Sequence, residues 1–304
     1  MLLLQQMVVL FIYMLLGYYG SKKGVLDAKA GKALSWIVIN IANPALLLNS
    51  AIGSDGKASG KELISTAVIA VLMFAALLIL AWASPIVFRA SEDEKGIYKL
   101  MTTFNNIGFM GFPVIAAVYG NEALLYAAIF TLPFNVLIYT YGIAMVRGKN
   151  TEREGFQWKQ ICNIGVVSCL IAVVLYLSSV QVPGFVRTAV GGLSGLTGPL
   201  SMMVIGISLS SISLRELFLD KKLLSYAAVK LLVIPVIGTL IIKQFISDEL
   251  LTAVCMIMLA TPVASMAVML AGQYDRNIEL ASKGVAITTI LSVITIPIVS
   301  WIVL

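Results

Sequence analysis

Three polar interruptions break an otherwise apolar chain. They are Asn43-Pro44, then Asn105-Asn106 followed by Gly108, Gly111 and Pro113, and finally Thr261-Pro262. A proline inside a helix removes one backbone hydrogen bond and crowds the preceding turn. It suits the first position of a new helix, so Pro113 and Pro262 are each placed to open a second half-helix. The N–H groups at such an end carry roughly half a positive charge, and two ends facing one cavity attract an anion. Buried amides add donors and acceptors. Asn43 and Asn106, each beside a break, are expected to face the cavity, whereas Asn135 suits a helix–helix hydrogen bond. This is the chemistry of anion binding rather than of catalysis.

The residues that catalysis needs are missing. The chain has no histidine, and all its aspartates and glutamates lie outside the hydrophobic stretches or at their edges. No nucleophile has a base to activate it. Cys162, Cys169 and Cys255 have no metal-ligand spacing and read as small buried hydrophobes, and the methionines read as packing residues. The sequence implies no catalytic residue, no metal and no cofactor. Lys230 is the one charge well inside an apolar stretch. It is expected either to snorkel to the interface or to serve as counter-ion for carbonyls at a helix break or for the substrate.

The elements that position these residues are membrane helices. The chain is 60% hydrophobic and 12% charged, and a span needs ~20 apolar residues. Ten stretches qualify, near 2–20, 32–48, 62–88, 100–119, 122–146, 160–180, 188–211, 223–245, 249–273 and 280–303. The first lacks the basic flank and cleavage site of a signal peptide. Sixteen of the 21 lysines and arginines lie in the odd-numbered loops and only four in the even-numbered ones. The positive-inside rule then places the odd loops in the cytoplasm and both termini outside. The net charge of +6 is thereby topogenic, and no nucleic acid is implied.

Ten spans divide into residues 1–146, a short cytoplasmic linker at 147–159, and residues 160–304. Five spans per half would insert the second half upside down relative to the first. The fourth span carries Pro113 and ends at Tyr119; the ninth carries Pro262 and ends at Tyr274. Proline to tyrosine is six residues in one and twelve in the other, so the breaks need not superpose. Asn43-Pro44-Ala45-Leu46 in the second span corresponds to Gly198-Pro199-Leu200-Ser201 in the seventh. Gly191, Gly192, Gly195 and Gly198 give the seventh span a smooth face for close packing.

Asn105-Asn106-Ile107-Gly108-Phe109-Met110-Gly111-Phe112-Pro113, closing on Tyr119-Gly120, resembles the fourth span of the auxin efflux carrier family. Asn43 to Leu47 resembles its second span and Gly206 to Leu209 the end of its seventh. Lys230 with Pro235 is similar to its eighth span. Pro262 to Ala271 with Tyr274, then Thr289, Ser292 and Pro297, look like its last two. The resemblance implies an all-α membrane protein, a 5+5 inverted repeat whose broken helices 4 and 9 cross, an elevator mechanism and a homodimer. It also implies an organic-anion substrate, with Asn43, Asn106 and Tyr139 facing it, and the matched stretch adds Ser265 to the site around Pro44, Asn105, Gly108, Gly111, Pro113, Thr261 and Pro262. The long cytoplasmic loop of the plant exporters is missing here.

The sequence thus points to a secondary carrier of a small organic anion, a carboxylate or auxin-like molecule, in the cell membrane. Two alternatives stay open: a proton- or sodium-coupled importer on the same fold, and a membrane sensor or channel.

Overall fold

A chain this apolar must satisfy its backbone polar groups within itself, and it does so almost wholly with helices. The computed structural model describes residues 2–52, 60–146, 163–178 and 182–304. The linker expected at 147–159, its cations and Cys162 fall outside them. Among the described residues seven helices are long and apolar enough to cross a membrane: Leu3–Lys22, Ala28–Ile52, Gly60–Val87, Ile107–Val146, Gly184–Leu209, Lys221–Lys243 and Ile278–Val303. Two shorter apolar helices are Ile164–Ser178 and Glu249–Ala260. The stretch Ile107–Val146 has 40 residues, which if straight would reach about 60 Å. It turns at Gly120, whose φ of 76° is left-handed.

In chain order the α-helices begin with α1 (Leu2–Lys22), α2 (Ala28–Ile37), α3 (Asn43–Ile52), α4 (Gly60–Val87), α5 (Lys95–Thr103) and α6 (Phe112–Ile129). There follow α7 (Thr131–Leu137), α8 (Ile143–Val146), α9 (Ile164–Ser178), α10 (Gly184–Ser194), α11 (Thr197–Leu209) and α12 (Leu214–Leu219). The last five are α13 (Lys221–Ala228), α14 (Ile234–Lys243), α15 (Glu249–Ala260), α16 (Met266–Gln273) and α17 (Ile278–Val303). Several edge acids that the sequence kept out of the membrane prove to be helix caps. Asp27 accepts from Ala30 N–H at 2.8 Å, Asp220 from Leu223 N–H at 2.9 Å and Asp248 from Leu251 N–H at 3.0 Å. Each satisfies a donor that the first helical turn leaves without an intrahelical partner.

π-Helical turns explain how prolines are carried inside spans. Val38–Ala42, Ile107–Gly111 and Val229–Val233 are π-helical, and each ends one residue before Asn43-Pro44, Phe112-Pro113 or Ile234-Pro235. The residue before each proline donates five residues back: Asn43 to Val38, Phe112 to Ile107 and Ile234 to Val229. The wider turn makes room for the ring that would otherwise crowd the carbonyl four residues earlier. Pro113 thus sits within a continuing helix, and the expectation that it opens a half-helix is corrected. Pro262 does not open one either, since α16 starts four residues later at Met266.

The true interruptions are Phe104–Asn106 and Thr261–Ser265. Phe104 and Thr261 are both extended, at φ −105°, ψ 111° and φ −64°, ψ 148°. Counted from these interruptions, Asn106 lies thirteen residues before Tyr119 and Pro262 twelve before Tyr274, so the difference of six against twelve read from the prolines narrows to one residue.

The helices pack as two bundles. In one, α1 and α2 lie on α11, and α3 lies on α9 and α10. In the other, α4 packs on α5, α14 on α15, and α17 on α13, α15 and α16, with α6 against α15. The two meet where α3 and α1 touch α6, α1 touches α17, and α11 touches the turn Ile107–Gly111. Backbone contact tightens the first bundle: a Cβ on Gly17 would lie 2.1 Å from Met203 O, and one on Gly206 2.0 Å from Met14 O. The glycines singled out in the sequence make no such approach; around Gly192 the space is open.

Candidate functional site

The two interruptions meet as a pair of short extended segments in the middle of the second bundle. Asn105 and Val263 form an isolated antiparallel bridge. Asn106 N–H donates to Pro262 O at 2.7 Å, and Ala264 N–H to Phe104 O at 3.0 Å. Val263 N–H turns the other way, to Thr288 Oγ1 at 3.1 Å. Irregular backbone inside an apolar protein is tolerated only where protein or a cavity covers it, and here each segment supplies the other's partners. Four helix ends converge on this crossing: the C-termini of α5 and α15, and the N-termini of the half-helices that begin at Ile107 and Met266.

Asn106 caps the first N-terminus. Its Oδ1 accepts from Phe109 N–H at 3.2 Å. Its Nδ2 is buried and has no hydrogen-bond partner. Asn43 is close to the same end, because a Cβ on Gly108 would lie 3.5 Å from Asn43 Nδ2. The Oδ1 of Asn43 is likewise buried without a partner. The hydroxyls of Thr197 and Ser201 share that condition. They lie on α11, which packs against both the Ile107–Gly111 and the Val38–Ala42 turns; Gly198 between them stands 3.7 Å, from its Cβ position, to Pro113. Buried polar groups in folded proteins are nearly always satisfied, so these free donors and acceptors, on elements packed at one helix end, make this the candidate site.

Other expected residues hold the crossing together. Asn105 is 1% exposed; its Nδ2 donates to Leu259 O at 3.1 Å and to Met258 O, and its Oδ1 accepts from Lys230 Nζ. With both donors used and Lys230 on its oxygen, Asn105 is a structural bridge, and the expectation that it faces a substrate is corrected. Thr261 donates back to Met258 O at 3.0 Å, and its methyl lies 3.5 Å from the Cβ position of Gly111. Ser265 is half-buried at the start of α16, and Pro44 is buried just past its π turn. Tyr139 is half-buried on the turn Ile138–Gly142, which approaches the Phe104 ring at Gly142. Its hydroxyl is not tied to the amides. Asn135 does act as helix glue: it donates to Thr131 O at 2.7 Å and accepts from Asn163 Nδ2 at 2.5 Å. Lys230 does not snorkel. It is fully buried and donates to Thr102 O at 2.7 Å.

Sequence reading passed over Thr197, Ser201 and Thr288. The first two had a signal, since they flank Pro199 in the span set against Asn43-Pro44. Thr288 had none, for a threonine in a helix usually bonds only its own turn, as Thr288 also does with Gly284 O at 2.7 Å.

No group of His, Cys, Asp and Glu side chains that could hold a metal occurs among the described residues. Cys169 and Cys255 are buried and free.

A chain from Methanothermobacter thermautotrophicus described as an uncharacterized transporter is 26% identical over 291 residues, covering 94% of this chain and 93% of its own. The uncharacterized transporter MJ1031 of Methanocaldococcus jannaschii is also 26% identical, over 302 residues and 97% of both chains. The uncharacterized transporter YfdV of Escherichia coli is 22% identical over 186 residues, 57% of this chain and 58% of its own. Residues 2–300 match the family described as membrane transport protein. That match agrees with the auxin-efflux resemblance of the second and fourth spans. The chain is a membrane transporter belonging to the membrane transport protein family.

Proposed function

We propose that the protein carries a small organic anion, a carboxylate or auxin-like molecule, across the cell membrane by an elevator motion. The reading is carried by one observation: the free Asn106 Nδ2 donor at the helix end that opens at Ile107, in a chain whose spans carry carboxylates only at their edges. A helix N-terminus and an unused amide donor favour a negative group. The free Asn43 oxygen and the Thr197 and Ser201 hydroxyls bring acceptors and further donors from the other bundle. A ligand held between two bundles can travel with one of them as it slides against the other. The bundle of α4–α8 and α13–α17 contains the crossing and would be the moving part. The bundle of α1–α3 and α9–α11, locked at Gly17 and Gly206, would be the fixed part and the homodimer surface.

In this reading the chain crosses the membrane ten times, with Ile107–Val146 split at Gly120 and α15 continued through the crossing into α16. The halves form an inverted repeat, supported by matched interruptions in spans 4 and 9 and before Pro44 and Pro199. Both termini are extracytoplasmic, from the loop charges. The test is counterflow in proteoliposomes, preceded by a thermal-shift screen of short mono- and dicarboxylates and an indole carboxylate, since ligands raise stability as RT ln(1 + [L]/Kd). Saturable exchange of a carboxylate is the expected result. Non-saturating flux, or none for any carboxylate, would overturn the carrier reading in favour of a channel or sensor.

A further inference from the structure

Lys230 is 0% exposed and lies inside a span, where an ionisable residue is costly and calls for a functional account. Among the described residues no carboxylate pairs with it. Its ammonium instead meets two neutral oxygens, Thr102 O at 2.7 Å and Asn105 Oδ1. What makes this position suitable for a cation is the arrangement of helix ends. Thr102 O belongs to the last turn of α5, which stops at Thr103. Asn105, through its Nδ2, is bound to Met258 O and Leu259 O in the last turn of α15, which stops at Ala260. Each helix C-terminus carries about half a negative charge, so two ends together amount to roughly one, which a single ammonium balances. Half-helix C-termini and unwound carbonyls are also what binds a coupling sodium ion or proton in carriers with broken helices.

We infer that the Lys230 ammonium is a resident cation at the crossing, occupying the position a coupling ion would take, so that the transporter needs no sodium to assemble its site. The inference rests on the carrier reading of the crossing, but its test uses the ion alone. With the amine gone, Thr102 O and Asn105 Oδ1 are left unpaired between two negative helix ends, the setting in which an alkali cation would replace the ammonium.

The experiment compares thermal unfolding of the purified, substrate-free protein in sodium, lithium, potassium and choline chloride at constant ionic strength. Wild type is expected to unfold at the same temperature in all four. Lys230→Ser is expected to be less stable in choline and to recover with the logarithm of sodium concentration once above its Kd. Lys230→Met, whose stem fills the space without charge, is expected to be destabilised in every salt alike. A sodium-dependent shift in wild type would overturn the inference, and that arm does not depend on any variant folding. A folded Lys230→Ser with no alkali-cation response would overturn it as well. Neither result touches the anion site at Asn43 and Asn106, which the carboxylate screen tests separately.

Discussion

At the scale of single residues, three asparagines separate into three roles that their shared chemistry conceals. Asn105 bridges the two interruptions, Asn135 joins two helices through Asn163, and Asn106 caps a helix with its oxygen while its Nδ2 stays free. Replacing Asn106 by alanine removes both functions at once, so the informative variant is Asn106→Ser. A serine is a good N-cap and can keep an oxygen on the Phe109 N–H, but it withdraws the amide donor. Asn106→Ser is expected to unfold near the wild-type temperature while its KM for the transported carboxylate rises about 5- to 150-fold, since an unmatched buried partner costs ~1–3 kcal/mol. Asn135→Ala is expected to do the reverse, lowering the unfolding temperature and leaving KM unchanged. Paired unfolding and uptake measurements on both variants check this. An unchanged KM in Asn106→Ser would remove that amide from the site.

At the scale of elements, the packing of α1 on α11 depends on two glycines that no local motif announces. The Gly206 Cβ position lies 2.0 Å from Met14 O and 2.7 Å from Tyr18 N, both backbone atoms that cannot swing aside. Gly206→Ala must force the helices apart, and overpacking of this kind costs typically 1–3 kcal/mol. Gly192→Ala, with open space around it, is the control and is expected to be near neutral. Thermal unfolding of the two variants separates a locked bundle from a loose one. The same contrast shows what was legible in the sequence. The seven long apolar helices followed from apolar length, and the breaks at Asn105-Asn106 and Thr261-Pro262, both visible in the sequence, are the two segments that touch. The sequence misled where a local rule was applied without the neighbouring helix. Pro113 looked like a helix start because its ring crowds a regular α-turn, but the preceding π-turn absorbs it. The glycine stripe Gly191–Gly198 looked like the packing face because spacing alone does not say where a second backbone lies. Asn105 and Asn106 are adjacent and chemically identical, and only the carbonyls of α15 decide which of them is consumed.

At the scale of the whole molecule, the question is what charge moves when the carrier turns over. The spans hold no histidine and carry carboxylates only at their edges, and the one cation buried among the described residues, Lys230, is held at the crossing by Thr102 and Asn105. In the proposed elevator, with Lys230 keeping its proton throughout, the empty and the loaded bundle differ only by the charge of the substrate. Transport of a monoanion is accordingly expected to be electrogenic. A membrane potential of about 100 mV, negative inside, is worth ~2.3 kcal/mol per charge. At about 1.4 kcal/mol per decade this drives a monoanion outward by roughly fifty-fold at equilibrium, so the carrier would act as an exporter with no ion gradient of its own. The measurement is current on a solid-supported membrane bearing the reconstituted protein, at symmetric pH and without sodium. A substrate jump is expected to give a transient of negative charge moving with the substrate, equal in sodium and choline media. Transport that is silent under these conditions and appears only after a sodium or proton gradient is imposed would identify a coupled importer. In that event the coupling ion would have to bind somewhere other than the position Lys230 already fills.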